Sequence, residues 1–255
     1  MSHLPLERSG SLTGSLTRAC ARMIWLVGWT EALKAALRAH VRLRGEHPMT
    51  RLHYGQRWAR GAVRSLGVEV DCLGAPPVGR VLIVANHRSY MDIPVILSQL
   101  PCTFLAKAEI GGWPVFGGAA RLLRAVFVHR TVPESRHAAR LATGQLLARG
   151  LSVATFPEGT TTPGPGMGDF AYGLFSLAEK NGFPVVPVAI SYVDPEDAWV
   201  DDDSFVGHFL RRFRRRRLHV RLAFGPTLHA DLDSDLREAA QGWIRAQLAE
   251  LDRTA

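Results

Sequence analysis

His87 and Asp92, five positions apart, are the pair of residues in this chain with the clearest chemical capacity. A histidine titrates near neutral pH and can take a proton from a hydroxyl. A carboxylate on its other ring nitrogen fixes the tautomer and steadies the imidazolium that forms. Both residues lie in Asn86-His87-Arg88-Ser89-Tyr90-Met91-Asp92, directly after the apolar run Val81-Leu82-Ile83-Val84-Ala85. At about 3.6 residues per turn, positions i and i+5 do not share a helix face. The pair can therefore meet only if His87 stands outside, or at the start of, a helix that Asp92 has entered. A capping box, Ser89-x-x-Asp92, or an N-cap by Asp92 alone explains the same residues without chemistry.

Two more polar sets follow apolar runs: Arg130 after Val126-Phe127-Val128, and Glu158-Gly159-Thr160 after residues 151–156. A base, a guanidinium for an anion and a small-residue turn with free N–H groups make a transfer site for a charged acceptor. They can converge only if the strands before them end at one sheet edge, which is where open α/β sheets place their chemistry. The run at 81–85 is short and uncharged, as a strand buried on both faces must be. Pro94 fits only the first turn of the helix expected at 93–100.

The rest of the chain supplies such a frame. Helical patterns cover about 18–44, 51–65, 134–149 and 170–180, and a last helix carries the stripe Leu236, Ala240, Trp243, Ile244, Leu248 and Leu251. Strand patterns fall at 68–72, 103–106, 126–128, 151–156, 185–191 and 218–224. Alternation of the two types predicts an α/β fold with a mostly parallel central sheet and flanking helices. An N-terminal amphipathic helical segment, expected to associate with a membrane, precedes it. The expected division is a disordered, Ser/Thr/Gly-rich 1–17, a helical membrane-surface segment at 18–57, and an α/β domain at 58–255.

The net charge of +8 favours anionic partners such as lipid surfaces, nucleic acid or phosphorylated substrates. Three cysteines without a CxxC pair argue for free thiols in a reducing compartment and against a zinc ribbon. No cleavable leader is evident. The run at 23–29 is apolar, but Glu31 and Lys34 interrupt it before the roughly 20 residues of a membrane span. Arg18 and Arg22 precede it, Arg38, Arg42 and Arg44 follow, and Trp25 and Trp29 are one turn apart. That composition fits a helix lying in the headgroup plane; the alternative is a helix packed on the domain.

The run NHRSYMD resembles the NHxxxxD block of the PlsC-type glycerolipid acyltransferases. AVFVHR, FPEGTTT and VVPVAI are similar to that family's next three blocks, in order and spacing, and WARGAVRSLGVEV resembles its lead-in. The resemblance implies acyl transfer from an acyl thioester, either acyl-CoA or acyl-carrier protein, to a lysolipid hydroxyl. It implies His87 as general base with Asp92 orienting it. Arg130, Glu158, Gly159 and Thr160 would line the acceptor-head pocket. Attack would be direct, with no acyl-enzyme, no cofactor and no metal. The expected place is the cytoplasmic face of the inner membrane, held peripherally on anionic lipid. Some features depart from the family pattern. Arg124 and His129 are atypical in the second block, Thr161 stands where phosphate-acceptor members often carry arginine, and Ala171-Tyr172 replaces a common basic residue. Thr161 and Ala171-Tyr172 favour a lyso-ornithine-type acceptor; Arg124 and His129 could supply positive charge for the alternative, lysophosphatidic acid.

Other readings are weaker. A serine hydrolase needs G-x-S-x-G, which is absent from the sequence. Gly164-Pro165-Gly166-Met167-Gly168 lacks a following G-K-[ST] and is expected to be a mobile loop over the site. The arginine-rich run 211–217 is a weak nucleic-acid signal beside a solvated or lipid-facing surface, so no nucleic-acid partner is expected.

Overall fold

The computed structural model describes residues 12–200, 203–230 and 235–253. Helices α1 (Leu12–Arg44) and α2 (Pro48–Leu66) lead into a seven-stranded sheet of order β1-β7-β6-β2-β5-β3-β4. The strands are β1 (Val68–Leu73), β2 (Leu82–Ala85), β3 (Thr103–Lys107), β4 (Val126–Val128), β5 (Val153–Thr155), β6 (Val185–Tyr192) and β7 (Leu218–Phe224). Every pairing is parallel except β6 with β7. The remaining helices are α3 (Asp92–Gln99), α4 (Phe116–Leu122), α5 (Pro133–Ala148), α6 (Gly173–Asn181), α7 (Phe205–Arg212) and α8 (Leu236–Arg253).

β2 sits between β6 and β5 and is wholly buried, as its uninterrupted apolar run requires. Alternate residues face opposite layers. Ile83 and Ala85 join a core with α2, α3 and α7, while Leu82 and Val84 join one with α5, α6 and α8. Pro187 is tolerated inside β6 because it lies beyond the last β6–β7 pair, Val188 with Phe224. α2 ends at Gly67, whose φ of 72° lets its N–H reach Arg64 O and Val63 O.

Residues 1–11 of the segment expected to be disordered lie outside the described residues, and from Leu12 the chain is already helical. A long helix downstream offsets the cost of Gly14, roughly 1 kcal/mol. The expected boundary at 57/58 falls inside α2, which packs on both α1 and α3, so the N-terminal helices are joined to the sheet layer. α7 was not legible as a helix, because the arginines after it dominate the local composition. Phe205, Phe209 and Phe213, at four-residue spacing, carry its buried stripe.

The run 211–217 is a solvated surface only in part: Arg211, Arg215, Arg216 and Arg217 are exposed, while Arg212 and Phe213 are buried. Arg212 is buried and bonds Asp194, Glu196 and Asp197, while Arg215 pairs with Asp194, Arg211 with Asp203 and Arg217 with Glu69. Arg18 and Arg22 are also engaged: their guanidinium groups donate to the carbonyls of Phe213, Arg214, Arg215 and Arg216. They stitch α1 to the end of α7.

Candidate active site

Asn86 follows β2 and ties the end of that strand to β6. Its Nδ2 donates to Ile190 O at 2.9 Å and its Oδ1 accepts the Ile190 N–H at 2.8 Å. The chain then turns, and α3 starts at Asp92. His87 stands outside the helix, as the five-residue spacing demanded, and its Nδ1 lies 2.7 Å from Asp92 Oδ2. The same oxygen accepts the backbone N–H groups of Arg88 (2.7 Å) and Ser89 (2.9 Å). Asp92 thus orders the turn and holds the imidazole with one carboxylate. The capping alternative is only half realised, since Ser89 Oγ is buried without a hydrogen-bond partner among the described residues.

The His87 ring stacks on Phe156 at 4.0 Å between centroids. Its side chain is 12% exposed while that of Asp92 is fully buried, so the pair has one open side. With Nδ1 committed to the carboxylate, Nε2 makes no hydrogen bond among the described residues. A hydroxyl placed there could lose its proton to it.

Glu158 comes from the turn after β5, and both its oxygens are occupied. Oε1 accepts the His87 N–H at 2.7 Å, and Oε2 accepts from Gly168 N (2.7 Å) and Thr162 Oγ1 (3.0 Å). Glu158 therefore braces the backbone around the histidine. Gly159 has φ of 76°, which disfavours any side chain, and its amide donates to Phe156 O, so that N–H is not free. Thr160 is exposed, its Oγ1 3.5 Å from Thr161 O.

Arg130 reaches the same edge from the end of β4 and donates to Gly159 O. Burial lowers its pKa, and the charge of Glu109 partly counters this. Lys107, at the end of β3, pairs with Glu109 at 3.7 Å, and the charge of Glu109 acts on Arg130. The carboxyl of Glu109 is held below its usual range by its own backbone N–H, and Lys107 and His129 add to the effect. Neither Lys107 nor Glu109 was evident in the sequence; the end of β3 was the available signal. Arg124 lies at the other end of β4 and pairs with Glu46.

Arg88 was also missed. Its guanidinium donates to Thr162 O, Thr162 Oγ1, Pro163 O and Gly166 O, and Thr162 N donates to His87 O at 2.8 Å. The Gly164–Gly168 loop, expected to be mobile, is thereby tied to the turn that carries His87 and Asp92.

Behind the turn lies an apolar cavity of about 130 Å³. Tyr90, Met91 and Pro94 form one wall, Leu26, Trp58 and Leu66 another, and Trp113, Phe116, Phe205 and Phe209 complete it. Among the described residues no group of three His, Cys, Asp or Glu side chains could hold a metal ion.

A family model described as "Acyltransferase" matches residues 69–191. The lyso-ornithine lipid O-acyltransferase of Pseudomonas aeruginosa is 35% identical over 242 residues, covering 89% of this chain and 91% of that protein. The 1-acyl-sn-glycerol-3-phosphate acyltransferase of Neisseria gonorrhoeae is 32% identical over 181 residues, or 70% of this chain and 68% of that one. The crystal structure of the 1-acyl-sn-glycerophosphate acyltransferase PlsC from Thermotoga maritima superposes with a TM-score of 0.66. It covers 91% of this chain and 97% of its own, at 22% identity.

Proposed function

The chain belongs to the PlsC-type acyltransferase family, and from that premise we propose that it acylates a lyso-ornithine-type lipid at the membrane surface. His87 is the general base. The acceptor hydroxyl gives its proton to Nε2 as its oxygen attacks the thioester carbonyl. When the intermediate collapses, the carbon–sulfur bond breaks and the proton passes to the departing thiolate, leaving an ester and a free thiol. Asp92 holds the ring and carries the imidazolium between these steps.

The observation that carries the acceptor assignment is the charge at the strand ends. Arg130 and Lys107 are accompanied by Glu109, and Thr161 adds no cation. A phosphate monoester brings close to two negative charges, more than this set balances. An ornithine acylated on one amine keeps a carboxylate and an ammonium, and each of these finds an opposite charge in this set, whereas a phosphate monoester would also face Glu109. Glu158 already accepts three hydrogen bonds from the chain, so Glu109 is the less committed partner for the ammonium. The relative in P. aeruginosa supports the same class of acceptor. Purified enzyme assayed on lyso-ornithine lipid and lysophosphatidic acid with one shared acyl donor should show the higher kcat/KM on the former. A preference for lysophosphatidic acid overturns the acceptor and leaves the acyl transfer standing. The apolar cavity, walled by the turn that carries His87, suits part of the acyl chain.

Among the described residues no helix is long and apolar enough to cross a membrane. α1 buries Leu26, Leu33 and Leu37 against the protein yet leaves Ile24 72% and Trp25 42% exposed on its outer side. Trp29 is not an outward anchor: its Nε1 donates to Trp58 O at 3.2 Å, and it packs against Gly61. Ile24→Asp and Trp25→Glu should each weaken binding to anionic vesicles on the order of tenfold, as expected for losing burial of one large apolar side chain. Trp29→Ala should instead lower thermal stability. Co-sedimentation at wild-type affinity for both outer variants would place the membrane contact elsewhere.

A further inference from the structure

The family motif ends at Asp92, but the hydrogen bonding around that residue continues. Asp92 Oδ2 carries three donors: His87 Nδ1 and the N–H groups of Arg88 and Ser89. Oδ1 has one among the described residues, the hydroxyl of Tyr192, which donates at 2.6 Å from the last residue of β6. Both side chains are buried. We propose that Tyr192 is a positioning residue for the reaction: it fixes the rotation of the Asp92 carboxylate and sets how strongly that carboxylate stabilises protonated His87.

A carboxylate bonded only through Oδ2 could tilt its plane about the Cβ–Cγ bond. The Tyr192 hydroxyl removes that freedom. It also draws charge from the carboxylate, since a hydrogen bond to an anion competes with the anion's other partners. Burial, followed by the charge of Asp92, holds the Tyr192 hydroxyl protonated well above its ordinary range, so it remains a donor throughout the working pH. The charged and titratable groups around this unit are Glu158 at the His87 amide, Arg88 facing the 162–166 loop, and Asp197 and Tyr90 beside Tyr192. None of them donates to Oδ1.

The inference rests on His87 and Asp92 acting as base and orienter, and the test separates the two. Tyr192→Phe in the full chain should lower kcat roughly tenfold, the kinetic equivalent of part of one charged hydrogen bond. KM for donor and acceptor should not change. The acidic limb of the kcat/KM profile should move up by roughly half to one pH unit, because the unshared carboxylate favours the imidazolium. Site-specific 3-fluorotyrosine at 192, a stronger donor that retains the packing, should move the limb down. In an Asp92→Asn background, Tyr192→Phe should have little further effect. If Asp92→Asn alone leaves turnover intact, the base–orienter reading fails. If it lowers turnover while neither change at 192 moves the acidic limb, Tyr192 is structural and this inference is overturned. The fluorinated protein decides the matter if Tyr192→Phe does not fold.

Discussion

His87→Ala is expected to remove nearly all acyl transfer, by about 10²–10⁴-fold in kcat, which is the usual contribution of a positioned general base. Little else in the molecule should change. The imidazole lies on Phe156 and one carboxylate oxygen, while the turn itself is held by main-chain groups. The His87 N–H goes to Glu158, its carbonyl accepts from Thr162, and Asp92 keeps the amides of Arg88 and Ser89. Those bonds survive loss of the ring, so the melting temperature should stay near wild type and KM should hardly move. Steady-state assays with a thiol-release readout, alongside thermal denaturation, check both parts. Near-wild-type turnover in a folded His87→Ala protein would end the base mechanism proposed here.

The sheet and its order of elements were legible because their causes are local. Uninterrupted apolar runs such as 81–85 must be buried strands, and Gly and Pro punctuate the chain between them. The meeting of His87 with Asp92 was legible for the same reason, since both lie in one turn. What the sequence hid depends on partners far along the chain. Tyr192 is 100 positions from Asp92, and Arg88 meets the Thr162–Gly166 loop more than 70 positions on. Glu158 was visible, but its duty was not. A glutamate at a strand end reads as a ligand for substrate, and only the fold reveals that three donors of the chain consume it. The arginine run misled for a related reason, because its counter-ions come from the separate stretch 194–197.

That run carries the largest expected effect on stability. Arg212 is 2% exposed and Asp197 3%, so Arg212→Met leaves a buried carboxylate without its partner, at a cost of about 3–5 kcal/mol. For a chain of this size that is on the order of 10 °C in melting temperature. Asp194 and Glu196 contribute less, since solvent reaches both. The two aspartates respond differently to the shared guanidinium. Burial raises the Asp197 carboxyl above its ordinary value despite Arg212, whereas at Asp194 the bonds from Arg212, the Glu196 amide and Arg215 together outweigh burial and lower it. Without Arg212 the Asp197 carboxyl rises further. A carboxyl raised in the folded state favours the protonated form, so the penalty is absent below the ordinary aspartate range near pH 4. It grows as pH climbs from there to the raised folded value and is constant above it. The gap in stability between Arg212→Met and wild type should therefore begin to widen only where wild-type Asp197 ionises, above the ordinary aspartate range, and level off above the variant's still higher value; adding Asp197→Asn should recover part of it near neutrality. Because α7 also presents Phe205 and Phe209 to the apolar cavity, loosening its anchor should blur the enzyme's preference among acyl-chain lengths before it abolishes turnover. A pH-independent loss, unchanged by Asp197→Asn, would mean that Arg212 stabilises the fold through its packing and not through its charge.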